Sequence, residues 1–134
     1  MKFTKQSLNT ILLATFFIGL GVVLGAMGSH LFKSILSQKG MITFETGLRY
    51  QLLHGLALLF LGLLQKDFYR DHYFNKVSYL FSTGILFFSG NCYIYAFSQI
   101  KLFAHLVPIG GFMFIFGWAL LFFKIRSLKS KSFS

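Results

Sequence analysis

Acidic residues are scarce in this chain. It has 3 Asp and Glu against 13 Lys and Arg, and charged residues make up only 12% of the 134. A water-soluble globule carries about 25% charged residues, so a conventional wet surface cannot be covered. A lone cysteine, Cys92, excludes a disulfide framework and a zinc ribbon and leaves the redox compartment open. One proline and 13 aperiodic glycines exclude a collagen-like chain. Disorder is excluded as well, because 55% of the residues are hydrophobic and 19% aromatic. With so few carboxylates there is no acid–base pair, no nucleophile beside a base and no phosphate-cradling loop, so no catalytic residue is assigned. No cofactor site emerges, and no metal site: His30, His54 and Glu45 offer suitable atoms but stand at no ligand spacing. Asp67 and Asp71 fall in one polar connection beside His72, which reads as a solvated histidine.

What is present is apolar length. Four stretches are long and nearly free of charge, and a spanning helix needs about 20 such residues. They predict an all-α membrane protein, one integral domain over residues 1–134 folded as an antiparallel bundle of four transmembrane helices. The helices are expected at about 7–28, 46–65, 77–98 and 102–123, the second taking Arg49 into its first turn, where the side chain can snorkel to the headgroups. Lys2 and Lys5 before an apolar run, with Ala26-Met27-Gly28 after it, imitate a secretory signal. A signal core is about 7 to 15 residues, whereas residues 8–27 are enough to span.

Counting Lys and Arg on alternate sides places Lys2, Lys5, Lys66, Arg70, Lys76, Lys124, Arg126, Lys129 and Lys131 against Lys33, Lys39, Arg49 and Lys101. By the positive-inside rule both termini are cytoplasmic. The net charge of +10 is then largely a topology signal, with anionic lipid rather than nucleic acid as the contact of the basic tail. The bilayer is the expected partner, with a homo-oligomer or a second membrane protein as further candidates.

The connection after the first span carries Leu31, Phe32, Ile35 and Leu36 at helical spacing among polar residues. This predicts a short amphipathic interfacial helix ended by Gly40. Tyr69, Tyr73 and their neighbours form an aromatic belt on the other side. Glu45 and Arg49 are expected to pair at i, i+4 near a helix start. Small residues mark packing faces: Ala14, Gly21, Gly25 and Gly28 in the first span, then Ser78, Ser82, Ser89, Cys92 and Ala96 in the third. These seams serve helix packing, or oligomerisation if Gly21–Gly28 is spare. Pro108 with Gly110 and Gly111 predicts a kink near Val107.

Four local patterns occur in order: Gly25-Ala26-Met27-Gly28-Ser29-His30; Arg49-Tyr50-Gln51-Leu52-Leu53-His54-Gly55-Leu56-Ala57; Phe88-Ser89-Gly90-Asn91-Cys92-Tyr93; and Val107-Pro108-Ile109-Gly110-Gly111 with Gly117-Trp118. In combination they resemble the small bacterial inner-membrane family DUF 423, also called UPF 0382, over nearly the whole chain. The pattern there looks like G-A-x-G-A-H, Y-Q-x-x-H-A-L-A, F-S-G-S-x-Y and T-P-I-G-G with a later G-W. This chain departs at Ser29, Gly55, Asn91 and Val107, the last losing a hydroxyl beside Pro108. The resemblance implies a four-helix membrane protein of unassigned activity.

Ionisable and polar groups inside a membrane are costly and usually find partners within the bundle. Gln51 and His54 share a small-residue face, and Tyr50 lies one turn from His54. His30, Tyr50, Gln51, His54, Ser89, Asn91 and Tyr93 are therefore the candidate ligand-binding residues, gathered toward the outer leaflet. The competing reading makes His54 a structural partner of Ser89, Asn91 or a carbonyl freed near Pro108. A bundle filled there by Tyr50, Tyr93 and Phe112 favours a protein acting by association. An open polar cavity reaching His54 favours a transporter-like or small-ligand-binding protein.

Overall fold

The chain enters its first helix at Thr4, whose side chain accepts a hydrogen bond from Ser7 N at 3.1 Å, satisfying one of the free donors at a helix start. A computed structural model describes residues 3–68 and 72–132. Of the residues named above, Lys2, Tyr69, Arg70 and Asp71 lie outside the described residues, as does the side chain of Lys131. Helix α1 covers Lys5–His30, α2 Gln38–Asp67, α3 His72–Ser98 and α4 Lys101–Ser132. Each is long and apolar enough to cross a membrane.

The helices overrun the expected spans. At 1.5 Å per residue the 30 residues of α2 reach about 45 Å, beyond the roughly 30 Å hydrocarbon core, because backbone pairing continues where side chains turn polar. Helix α2 starts at Ser37, whose side chain accepts from Gly40 N at 3.0 Å. Gly40 is therefore inside α2 rather than the end of an earlier helix. The expected amphipathic helix shortens to a single 3-10 turn, Phe32–Ser34. Phe32 of this segment turns inward, its ring 5.3 Å from Phe44 and 4.9 Å from Phe97, and Leu36 is half-buried, while Leu31 and Ile35 stay exposed. Glu45 and Arg49 are both exposed and form no ion pair; Glu45 stands two turns inside α2, away from the helix start that would stabilise it.

Helix α3 is α-helical to Ile85, widens into one π turn at Leu86–Gly90, and resumes at Asn91. Gln99 closes it in the left-handed region at φ 56, and α4 begins two residues later. Pro108 sits in the second turn of α4, which passes it without a break.

Neighbouring helices pack in chain order: α1 on α2, α2 on α3, and α3 on α4. The core joins Ala14 and Phe17 of α1, Leu58 and Leu61 of α2, Phe74, Val77, Phe81 and Ile85 of α3, and Phe114 of α4. The glycines that marked a seam in α1 are spent on this packing. A Cβ on Gly21 would meet Leu52 Cδ2 at 2.6 Å, and one on Gly28 would meet Phe44 Cε1 at 2.8 Å; Gly25 faces Leu48 at 3.3 Å. That seam is the α1–α2 interface, so it is not spare for a second copy. Gly110 likewise lies directly against the backbone of Phe88 in the π turn.

Candidate functional site

Two clusters of polar residues lie on either side of α2. On the first side, Gln51 is 2% exposed and bridges three helices. Its Nε2 donates to the Phe17 carbonyl of α1 at 2.8 Å, and its Oε1 accepts from the Tyr93 hydroxyl of α3 at 2.7 Å. One turn away, Ser89 Oγ donates to the Gly47 carbonyl at 2.7 Å. This bond needs the close approach that Gly47 allows, since a Cβ there would lie 2.8 Å from that of Cys92.

On the second side, His54 is also 2% exposed and faces α4. Its Nδ1 lies 2.9 Å from the Tyr50 carbonyl, and Trp118 Nε1 donates to its Nε2 at 3.0 Å. An indole N–H can only donate. Nε2 must therefore be the bare nitrogen and Nδ1 the protonated one, which donates to Tyr50. These two bonds select the neutral Nδ1–H tautomer. The imidazole stacks on Phe114 with ring centroids 3.5 Å apart and meets Phe81 edge-on at 5.1 Å.

The sequence candidates are thus only partly brought together. Tyr50 and His54 form one group, and Gln51 and Tyr93 another with Ser89 beside them. Asn91 turns back on its own helix, Nδ2 donating to Phe87 O at 2.6 Å, a carbonyl at the π turn. His30 is exposed at the end of α1 and joins neither group. None of Ser89, Asn91 or a carbonyl near Pro108 is the partner of His54; Trp118 is. His54 also stands deeper than expected, sixteen residues after Gln38 and thirteen before Asp67, because α2 starts eight residues earlier than its charge pattern suggests. Phe112 points outward at 59% exposure, and Phe114 takes the inward place. Gly111 borders a hollow of about 430 Å³ beside Tyr50 and His54.

A third polar contact lies toward the other end of the bundle and was not anticipated. Gln65 Nε2 donates to Asn75 Oδ1 and to Ser78 Oγ, each at 3.0 Å, and Ser7 Oγ donates to the Gly62 carbonyl at 2.5 Å. Gln65 Oε1 is buried with no partner among the described residues. Among the described residues no three of His, Cys, Asp and Glu gather as a metal would require. The arrangement can hold helices in register. Among the clustered groups, Gln51, His54 and Ser89 are already occupied.

Comparison with known proteins agrees with this architecture. Residues 24–111 match the family model described as "Protein of unknown function (DUF423)". The chain is 40% identical over 97 residues to a UPF0382 membrane protein of Staphylococcus saprophyticus, covering 72% of this chain and 79% of that one. It is 36% identical over 114 residues to the UPF0382 inner membrane protein YgdD of Escherichia coli K12, covering 84% and 86%. No solved structure matches.

Proposed function

This multi-pass membrane protein belongs to the DUF423 family, and from that premise we propose that it acts without catalysis, through association of its helices, as a homo-oligomer or as an accessory subunit. We place it in the inner membrane, where the name of its Escherichia coli relative puts that protein, with both termini cytoplasmic on the distribution of Lys and Arg. The observation that carries the reading is the internal use of its buried polar groups. Both ends of Gln51, both nitrogens of His54 and the hydroxyl of Ser89 pair within the chain. Polar side chains that bond across helices are a common means of holding membrane helices together. The alternative, a cleft around Gln51, His54 and Asn91 that takes a small polar ligand, draws on the hollow beside His54. Neither Gln51 nor Asn91 borders that hollow, and its walls are largely aromatic.

Purification in mild detergent followed by native mass spectrometry tests the association reading. A defined oligomer or a stoichiometric protein partner is expected. A monomer that retains a polar small molecule would overturn it in favour of the cleft. Orientation is checked separately, with a reporter fused to the C-terminus that is expected to be active only in the cytoplasm.

A further inference from the structure

Two hollows lie along the seam between α2 and α4. The first, about 250 Å³, is walled by Ile42, Thr46, Cys92, Tyr95, Ala104 and Val107. The second, about 430 Å³, is walled by Tyr50, His54, Phe88, Gly111, Phe114 and Trp118. From one to the other each wall advances by four residues: Thr46 to Tyr50, Cys92 to Phe88, Val107 to Gly111. The two share no lining residue but stand one helical turn apart on every wall, with α3 as the floor, and we read them as successive turns of one crevice between α2 and α4.

The crevice has the dimensions and polarity of a lipid chain. From Ala104 to Trp118 it follows α4 for about 21 Å, more than the roughly 15 Å depth of one leaflet's hydrocarbon. Its walls are mostly carbon, and the Thr46 hydroxyl that borders it donates to Ile42 O in its own helix. Charge at its shallow end is of one sign along the wall. Lys39 Nζ stands 5.7 Å over the Tyr95 ring, and Lys101 opens α4 one turn before Ala104. Across the deep end, α2 and α4 are tied by the His54–Trp118 bond and the His54–Phe114 stack.

We propose that this crevice holds one acyl chain of an anionic phospholipid, with the headgroup at Lys39 and Lys101 and the chain end toward Trp118. The inference goes beyond association and does not depend on it.

Trp118 is the chain's single tryptophan, so its fluorescence reports the deep end directly. The protein is reconstituted in vesicles of phosphatidylcholine doped with phosphatidylglycerol brominated near the chain end, and separately with brominated phosphatidylcholine. Half-maximal quenching is expected at a mole fraction of the anionic lipid lower by roughly fivefold for each of the two lysines that meets the headgroup. Replacing both lysines, Lys39→Ala with Lys101→Ala, should merge the two curves. Gly111→Leu, whose Cβ would meet only the Phe88 ring at 3.8 Å, should fill the second hollow and remove the steep phase. Should that variant lose its helical signal, Val107→Phe fills the first hollow and answers the same question. Coincident curves for the two lipids in the unaltered protein would overturn the proposal, leaving only annular lipid. So would quenching that a folded crevice-filling variant leaves unchanged. Absence of quenching by either lipid, with a dimer in native mass spectrometry, would assign the crevice to a second copy.

Discussion

Helix α2 meets α1 and α4 in opposite ways. Against α1 it packs through glycines on both helices: Gly21 and Gly28 take Leu52 and Phe44, while Gly55 and Gly62 of α2 take Ile18 and Ile11. Toward α4 the same helix offers Tyr50 and His54, and α4 answers with Phe114 and Trp118, so rings hold the backbones apart and hollows remain between them. In lipid, apolar surface alone gives helices no reason to leave the bilayer for each other. Close contact must come from small residues, and where these are missing a few polar or ring contacts must hold. The first seam is continuous, while the second is fixed at one level, with a crevice on its open side.

The largest test of this contrast is on the continuous seam. A Cβ on Gly62 would lie 2.6 Å from Ile11 Cγ1 and 3.2 Å from Ile11 N, so Gly62→Leu must push the backbones apart. A loss of about 3 kcal/mol is expected, read by denaturant titration in micelles. Gly19→Leu on α1, with nothing within 4 Å, should leave the midpoint where it is; equal losses for both would erase the distinction between the seams.

A middle-sized effect is expected at the bridge over three helices. Gln51→Leu removes both interhelical bonds and leaves the Tyr93 hydroxyl without its partner, and should cost about 1–2 kcal/mol. Tyr93→Phe removes one of those bonds and should cost roughly half as much in the same titration. If Tyr93→Phe is as damaging as Gln51→Leu, the bond to Phe17 contributes nothing.

The smallest effect belongs to the open side. Trp118→Phe keeps a ring but removes the bond to His54, a loss of about 0.6 kcal/mol. His54→Leu should cost about 1 kcal/mol, while His54→Gln, which still donates and accepts, should be tolerated. Combining His54→Leu with Trp118→Phe should cost less than the sum of the two. Strict additivity would mean that these side chains are not coupled.

The four spans were legible because Lys and Arg are sparse within them and cluster between them. Their ends were not, since a helix stops where its hydrogen bonding is capped, not where apolarity fades. Ser37 carried the needed signal, a serine able to cap α2, but Gly40 three residues on reads as a stop. It is instead the place where the first turn of α2 passes the end of α3, a Cβ there lying 2.8 Å from Ala96 O. Gln51, His54, Ser89 and Tyr93 were visible as polar residues in apolar stretches. Their partners were less so: backbone carbonyls of Phe17 and Gly47 leave no mark in a sequence. Starting α2 too late raised His54 toward the surface and separated it from Trp118, which lies 64 residues away in the chain. The turning of Asn91 onto Phe87 follows from the π turn, which no hydrophobic period announces.

That π turn gives the chain a tolerance of length. An ordinary helix rotates about 100° per residue, so one deletion in α1 or α2 would swing every later side chain of that helix off its seam. The i to i+5 pairing of a π turn houses one residue more than the i to i+4 pairing on either side. Leu86 and Phe87 within it are exposed. Losing one of them lets the turn close to ordinary α geometry while Phe81 and Ile85 on one side, and Cys92 and Ala96 on the other, keep their facings. Helix α3 is therefore the place among the described helices where a one-residue deletion can be absorbed without re-registering the bundle.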